Sequence, residues 1–269
     1  MVSHIMNIVI KTYLKDSANM SEVADSSIQM AITAWAGPKP GGGGGLTILT
    51  IDSASNMPHS LEEWIRIVKK HYGNIHSFVL SLNDGEIQAI YQRQIVEIER
   101  VLTDTGVFIL NIGNPWFGLS QDVFMSESSL LFPYIIAEDI IDKTSLRLRH
   151  EYLSIVDING NYKIERWFVF SKKEKWKENK LKLPTILKGR GEIVGNTTTY
   201  PKNIINMLIR KYTSKGDWLL DPYAGIGTLA SVAEPLGRNT ILYEIQPEIY
   251  SNMVKNLKSF SCMNSSFLS

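Results

Sequence analysis

Asp217-Trp218-Leu219-Leu220-Asp221-Pro222-Tyr223-Ala224-Gly225-Ile226-Gly227-Thr228 is the stretch that decides how this chain is read. Trp218 to Leu220 is a short apolar run, the pattern of a buried strand. Asp221-Pro222 stops it, and Gly225 and Gly227 bracket a tight turn. Thr228 to Ala233 returns to residues that favour helix. Strand, glycine turn and helix make a binding geometry: glycines let a ligand approach the backbone, and a helix start offers unpaired N–H groups.

A second apolar run, Thr240-Ile241-Leu242-Tyr243, ends on Glu244. A carboxylate at the tip of the next strand, roughly 20 residues beyond the glycines, is where a ribose is held by its hydroxyls. Two glycines without a third are weak support for a dinucleotide, which leaves a nicotinamide-dependent dehydrogenase as a poor reading. The eight residues Asp221, Pro222, Tyr223, Ala224, Gly225, Ile226, Gly227 and Thr228 are more specific. They resemble the Asp-Pro-Phe-x-Gly-x-Gly-Thr loop of the S-adenosylmethionine-dependent DNA methyltransferases that modify exocyclic amino groups. The resemblance implies a cofactor site made by that loop and Glu244.

Bulk properties bound the class. A chain of 269 residues suits one large α/β domain, with or without an insertion. The net charge of +1 gives no global basic field, so any polyanion site must be a local patch. The single cysteine, Cys262, excludes a disulfide framework and a cysteine zinc site, and fits a reducing cytoplasm. It also has no proline beside it, as a carbon-5 cytosine methyltransferase nucleophile would. No apolar run reaches the roughly 18 residues that span a bilayer, so no membrane partner is expected.

Taken in order, Asn7 to Ile10 reads as a first strand, Lys15 to Ala18 as a turn, and Ile28 to Thr33 as a second strand. The resemblance extends to this opening and implies that Asp16 lies near the cofactor's adenine; a turn or capping aspartate reads equally well. The family's next element is a Ser/Asp-Pro-Pro-aromatic tetrad, in which a side chain and a carbonyl accept from the target amine while the ring stacks on an extruded base. Here the chain reads Thr33-Ala34-Trp35-Ala36-Gly37-Pro38-Lys39-Pro40 and then Gly41 to Gly45. Thr33 can accept a hydrogen bond and Trp35 can stack, so these two are the candidate catalytic residues. The stiff diproline is missing and the glycines are linker-like.

Leu46 to Ile51 is a short β-rich run, and Ser60-Leu61-Glu62-Glu63 has capping-box spacing before a stripe of Trp64, Ile65, Ile67 and Val68. Residues 86 to 102 give the clearest amphipathic helix, with Ile87, Ile90, Tyr91, Ile95, Ile98 and Leu102 on one stripe. Val107 to Ile112 follows as an uninterrupted apolar strand, as in a parallel sheet covered on both faces. Asn111, Gly113, Asn114 and Trp116 sit at its end, where open α/β sheets place ligands. Leu130 to Ile141 reads as a helix broken at Pro133. Tyr152 to Val156 and Arg166 to Phe170 read as strands around a turn at Asn159-Gly160-Asn161.

Between Lys172 and Arg190 there are seven lysines and one arginine against two glutamates, a net of +6. A charge run by itself is usually a solvated face. This one falls where the family places its target-recognition segment, so Lys172, Lys173, Lys175, Lys177, Lys188 and Arg190 become candidate DNA contacts. Tyr200-Pro201 opens a helical stripe of Ile204, Ile205, Leu208 and Ile209. The resemblance puts such a pair against the methionine end of the cofactor; Pro also opens helices without any function.

The order of motifs, catalytic strand first and cofactor loop late, is the circularly permuted one of the β group of amino methyltransferases. The resemblance therefore implies a doubly wound, mostly parallel α/β sheet of Rossmann-like methyltransferase type, one domain over 1–269 with a target-recognition insertion at 115–195. It implies a cytoplasmic enzyme that binds S-adenosylmethionine and double-stranded DNA and methylates N4 of cytosine or N6 of adenine. A cognate restriction endonuclease is the expected partner, and the chain is expected to be a monomer or homodimer. Two other classes remain open: a catalytically impaired DNA-binding protein of this fold, and a methyltransferase for RNA or a small molecule.

Overall fold

A computed structural model of the chain describes residues 8–35, 85–113, 134, 137–191, 193–194, 197–261 and 267–268. Among these, one sheet organises everything else. Its strands are β1 (Ile10–Leu14), β2 (Ile28–Trp35), β3 (Leu102–Gly113), β4 (Arg147–Ile158), β5 (Asn161–Ser171), β6 (Ile186–Arg190), β9 (Trp218–Asp221), β10 (Asn239–Glu244) and β11 (Phe267–Leu268). Two-residue strands β7 (Ile193–Val194) and β8 (Thr197–Thr198) pair separately. The spatial order in the large sheet is β11-β1-β10-β9-β2-β3-β5-β4-β6. Every neighbouring pair is parallel except those made by β5, which runs against both β3 and β4.

The helices are α1 (Gly85–Val101), α2 (Lys202–Tyr212), α3 (Thr228–Ala233) and α4 (Pro247–Ser261). β3 shows why the sheet is covered on both sides. Phe108, Leu110 and Ile112 point into one core with Ile95, Ile98 and Val101 of α1. Val107 and Ile109 point into the other core with Ile204, Ile205, Leu208 and Ile209 of α2, Leu229 of α3 and Met253 of α4. Strand residues alternate faces, so a continuous apolar run is the pattern expected of a strand with helices on both sides. Each fully buried Leu, Ile or Phe adds about 1.5–3 kcal/mol relative to exposure.

Strand β1 differs from the sequence expectation. The run Asn7 to Ile10 predicts a strand, but the strand occupies Ile10–Leu14, because its partner β10 pairs Ile10 with Thr240 and Leu14 with Glu244. Pairing with a buried neighbour outweighs local apolarity. The amphipathic helix predicted over 86–102 is α1, and the strand predicted from Val107 begins earlier, at Leu102. The predicted hairpin is formed by β4 and β5, with Asn159 at φ 54° and Gly160 at φ 84° supplying the two left-handed residues of a tight turn. The glycine-rich stretch 36–45, the runs at 46–51 and 60–68, Asn114, Trp116, 130–133 and Cys262 lie outside the described residues.

The topology fixes where a ligand can sit. From β9 the chain passes through α3 to β10 on one side, while β2 leads through α1 to β3 on the other. β9 and β2 are neighbours whose connections diverge, which leaves a crevice at their carboxyl ends.

Candidate active site

Three residues predicted from sequence end adjacent strands at this crevice. Leu220 is level with Ala31, and Asp221 is level with Leu242. Asp221, Glu244 and Thr33 therefore lie within two residues of one level along the strands. Asp16 follows β1, which is in register with β10 up to Leu14 and Glu244, so it reaches the same edge. The first half of the chain supplies Asp16 and Thr33 and the last quarter supplies Asp221 and Glu244.

The loop itself is held from within. Tyr223 N–H donates to Asp221 Oδ1 at 3.0 Å, and Gly227 N–H donates to the Ala224 carbonyl at 2.8 Å. Ala224 N–H donates to the Tyr243 carbonyl at 2.9 Å, which ties the loop to β10. Gly225 and Gly227 have φ of 55° and 83°, values that cost an L side chain about 1 kcal/mol or more. A Cβ on Gly227 would also press on Met253 at 3.0 Å, whereas a Cβ on Gly225 would meet nothing within 4 Å. Gly227 is thus a packing glycine, and Gly225 faces open space that a ligand can use. α3 has only six residues, so the loop geometry rather than a helix end makes the site.

Asp221 is fully buried, and its Oδ2 has no hydrogen-bond partner. Burial pushes its carboxyl up to about 8, Tyr223 N–H pulls it down and the Glu244 charge raises it further. Glu244 Oε2 accepts from Gly225 N–H at 3.2 Å and Oε1 accepts from Gln246 N–H at 2.8 Å. Burial raises its pKa, and these backbone donors oppose the rise. Each oxygen has a further lone pair for a ligand hydroxyl. Ile245 beside it is 57 % exposed, an apolar facet next to the acid. A buried orphan oxygen, a free face at Gly225 and a strand-end carboxylate fit a nucleoside that carries a positively charged amine.

Thr33 is buried, its Oγ1 has no partner, and it lines a small cavity with Gln94, Ile95, Ile98, Phe108, Leu110 and Tyr223. Trp35 closes β2; its side chain lies outside the described residues. Pro201 caps α2 and is buried, and the Tyr200 ring lies 6.2 Å from that of Trp167. Because β9 begins its run at the amino edge just after α2 ends, the start of α2 with Tyr200 and Pro201 lies at the carboxyl edge, on the site's side.

The lysine segment is not gathered at the site. β5 runs antiparallel, with Ser171 level with Val107 and Glu165 level with Gly113, so the chain leaves it at the amino edge of the sheet. Lys172 Nζ donates to the Leu102 carbonyl at 2.6 Å, and burial lowers its pKa. Lys173 pairs with Asp104, and Lys177 with Asp217 at 2.7 Å. Lys175 is exposed on the same stretch. These four lie at the far end from Asp221 and Glu244. Lys188 and Arg190 differ: both are exposed on β6, which runs parallel to β4 and brings Arg190 level with Asp157 near the carboxyl edge.

Sequence reading missed Gln94. It sits in the predicted apolar stripe of α1, and only the tertiary structure shows that it bridges two loops. Its Nε2 donates to Asp16 Oδ1 at 3.1 Å and to Ser17 Oγ at 3.0 Å, while its Oε1 accepts from the Tyr223 hydroxyl.

This sheet, with its crevice and strand-end acids, defines a Rossmann-like methyltransferase. The chain belongs to the DNA methylase family of N6 and N4 type, whose match covers residues 59–255, most of its length. It is an S-adenosylmethionine-dependent amino methyltransferase acting on DNA. It is 22 % identical to the type II methyltransferase M.MthZI of Methanothermobacter thermautotrophicus over 87 % of this chain and 72 % of that one. It is 24 % identical to the type II methyltransferase M.Cfr9I of Citrobacter freundii over 55 % of this chain and 50 % of that one. Among solved structures, the cytosine-N4-specific PvuII DNA methyltransferase superposes with a TM-score of 0.59 at 17 % identity, over 98 % of this chain and 89 % of that one. A DNA modification methylase of Thermus thermophilus complexed with S-adenosyl-L-methionine superposes with a TM-score of 0.61 at 14 % identity, over 97 % and 100 %. Among the described residues no helix is long and apolar enough to cross a membrane, and no cluster of ligating side chains could hold a metal.

Proposed function

We propose that the chain is the modification enzyme of a restriction–modification pair, acting in the cytoplasm on N4 of cytosine or N6 of adenine at a specific duplex site. The type II relatives support the pairing with a restriction endonuclease. The observation that carries the residue assignment is the orphaned, fully buried Oδ2 of Asp221 beside Glu244. In this reading Asp221 faces the amine of the cofactor's methionine part, and Glu244 accepts from the ribose hydroxyls. Ile245 and the turn at Asp16 flank the adenine, while Tyr200-Pro201 borders the methionine side. When bound, S-adenosylmethionine supplies an activated methyl group on a sulfonium with a good leaving group.

The chain's own part is alignment. The Thr33 hydroxyl, buried without a partner, accepts an N–H of the target amine, and Trp35 stacks on the extruded base. Extrusion costs a few kcal/mol, offset by stacking and phosphate contacts. Drawing the N–H bonds out of the ring plane frees the nitrogen lone pair, and fixed geometry supplies much of the rate. No covalent enzyme intermediate is needed. Target recognition is assigned to the region 115–195, with phosphate contacts from Lys188 and Arg190 rather than from the lysines at the opposite edge.

The test is mass spectrometry of nucleosides from mixed-sequence DNA incubated with the protein and isotopically labelled S-adenosylmethionine. Labelled N4-methylcytosine or N6-methyladenine is expected. Cofactor and DNA binding without product would establish a binder that has lost its chemistry. Preferential labelling of RNA in competition would move the substrate class.

A further inference from the structure

We propose that Gln94 is a positioning residue that locks the cofactor loop to the Asp16 turn and so sets the affinity for S-adenosylmethionine. The inference rests on the cofactor reading above and goes beyond it, since Gln94 belongs to neither loop.

Gln94 is 4 % exposed, between Ile95 and the rest of the stripe that α1 packs on the sheet. A buried amide there is costly unless each group is bonded, and a leucine would pack the same space more cheaply. Its hydrogen bonds span the crevice. Both Nε2 protons are used, one on Asp16 Oδ1 and one on Ser17 Oγ, and Oε1 takes the Tyr223 hydroxyl. One side chain therefore joins the turn after β1 to the loop after β9, two segments more than 200 residues apart in sequence and separated in the sheet by β10. Asp16 Oδ1 is committed to Gln94 and to Ala18 N–H at 2.8 Å, which orients the carboxylate and leaves Oδ2 for a ligand.

The bond also explains a departure in the sequence. The loop this chain resembles carries phenylalanine where this chain has Tyr223, and the added hydroxyl is the atom that reaches Gln94. Gln94 and Tyr223 line the same cavity as Thr33, so the lock lies where the cofactor loop, the Asp16 turn and the candidate acceptor strand meet.

The experiment is calorimetric titration of S-adenosylmethionine into the full chain and its variants Gln94→Leu, Tyr223→Phe and the double variant, with melting temperatures measured alongside. Ile140→Val, a buried position outside the site, serves as the packing control. Gln94→Leu should weaken binding at least tenfold and Tyr223→Phe about threefold to tenfold. The double variant should bind within twofold of Gln94→Leu, because both changes break one connection. Ile140→Val should lower the melting temperature and leave affinity within twofold. Wild-type affinity in Tyr223→Phe, which removes only a hydroxyl, would overturn the proposal even if Gln94→Leu fails to fold. Multiplying losses in the double variant would overturn it as well. A wild-type chain that does not bind the cofactor would overturn the cofactor reading itself, an outcome distinct from either.

Discussion

Asp221→Asn separates what this aspartate does for the ligand from what it costs the fold. Its carboxyl is pushed from an ordinary 3.8 up to about 8, mainly by burial. Below pH 4 the group is protonated in both folded and unfolded chains and costs nothing. Between pH 4 and 8 the unfolded chain loses the proton and the folded chain keeps it, so stability falls as pH rises, by about 1.4 kcal/mol per unit. Above pH 8 the full cost, roughly 4–6 kcal/mol, is present. Asn keeps the oxygen that accepts from Tyr223 N–H at 3.0 Å and cannot ionise. The ligand-free variant should therefore be more stable than wild type at pH 8 and equal to it near pH 4, measured by urea unfolding.

Binding should move the other way. A cationic amine against Oδ2 favours the carboxylate, so at pH 7 binding releases about 0.9 proton from a group whose free value is near 8. Affinity should then rise about tenfold per pH unit from pH 6 to 8. Titration calorimetry at pH 7, in buffers of low and high ionisation enthalpy, reads that proton directly. Asp221→Asn should abolish the release and weaken binding by about 1.5–3 kcal/mol, the range for a hydrogen bond to a charged group. Identical binding enthalpies in the two buffers for wild type would refute the placement of the amine at Asp221.

Glu244→Ala should weaken S-adenosylmethionine binding by about 1.5–3 kcal/mol, and unchanged affinity in equilibrium dialysis would contradict the ribose assignment. Thr33→Val removes an unpartnered buried hydroxyl at nearly constant shape, so it should raise stability by about 1 kcal/mol while lowering kcat without changing cofactor affinity; a wild-type kcat would remove Thr33 from the acceptor role. Lys188→Ala and Arg190→Ala should each reduce the slope of log Kd for DNA against log salt by about 1, and Lys173→Ala should leave it unchanged; a reduced slope for Lys173→Ala would restore the lysine segment as a DNA surface.

The parts of the fold that sequence revealed are those where a local pattern has one physical solution. Trp218 to Asp221 and Thr240 to Glu244 are apolar runs ended by acids, and both became central strands. The Asn159-Gly160 pair needs left-handed backbone, and a hairpin turn follows from that. What sequence hid depended on strand direction and pairing. The lysine run was visible as charge, but β5 running against its neighbours carries it to the wrong edge, which no composition can show. β1 moved along the chain because its register is set by a strand more than 200 residues away. Gln94 was one polar residue in an apolar stripe, and its meaning came only from the two loops that meet it.

The order β1-β10-β9-β2 has a consequence for how the protein is made. As the chain leaves the ribosome, β1 and β2 emerge early with a slot two strands wide between them. The strands that fill it, residues 218–244, arrive only near the end of synthesis. Until then the nascent sheet has unpaired apolar borders, a hazard for sticking to other chains and a reason for slow, late closure. The same delay means that no partly synthesised chain can hold the methyl donor, so the genome meets this enzyme only once it is finished.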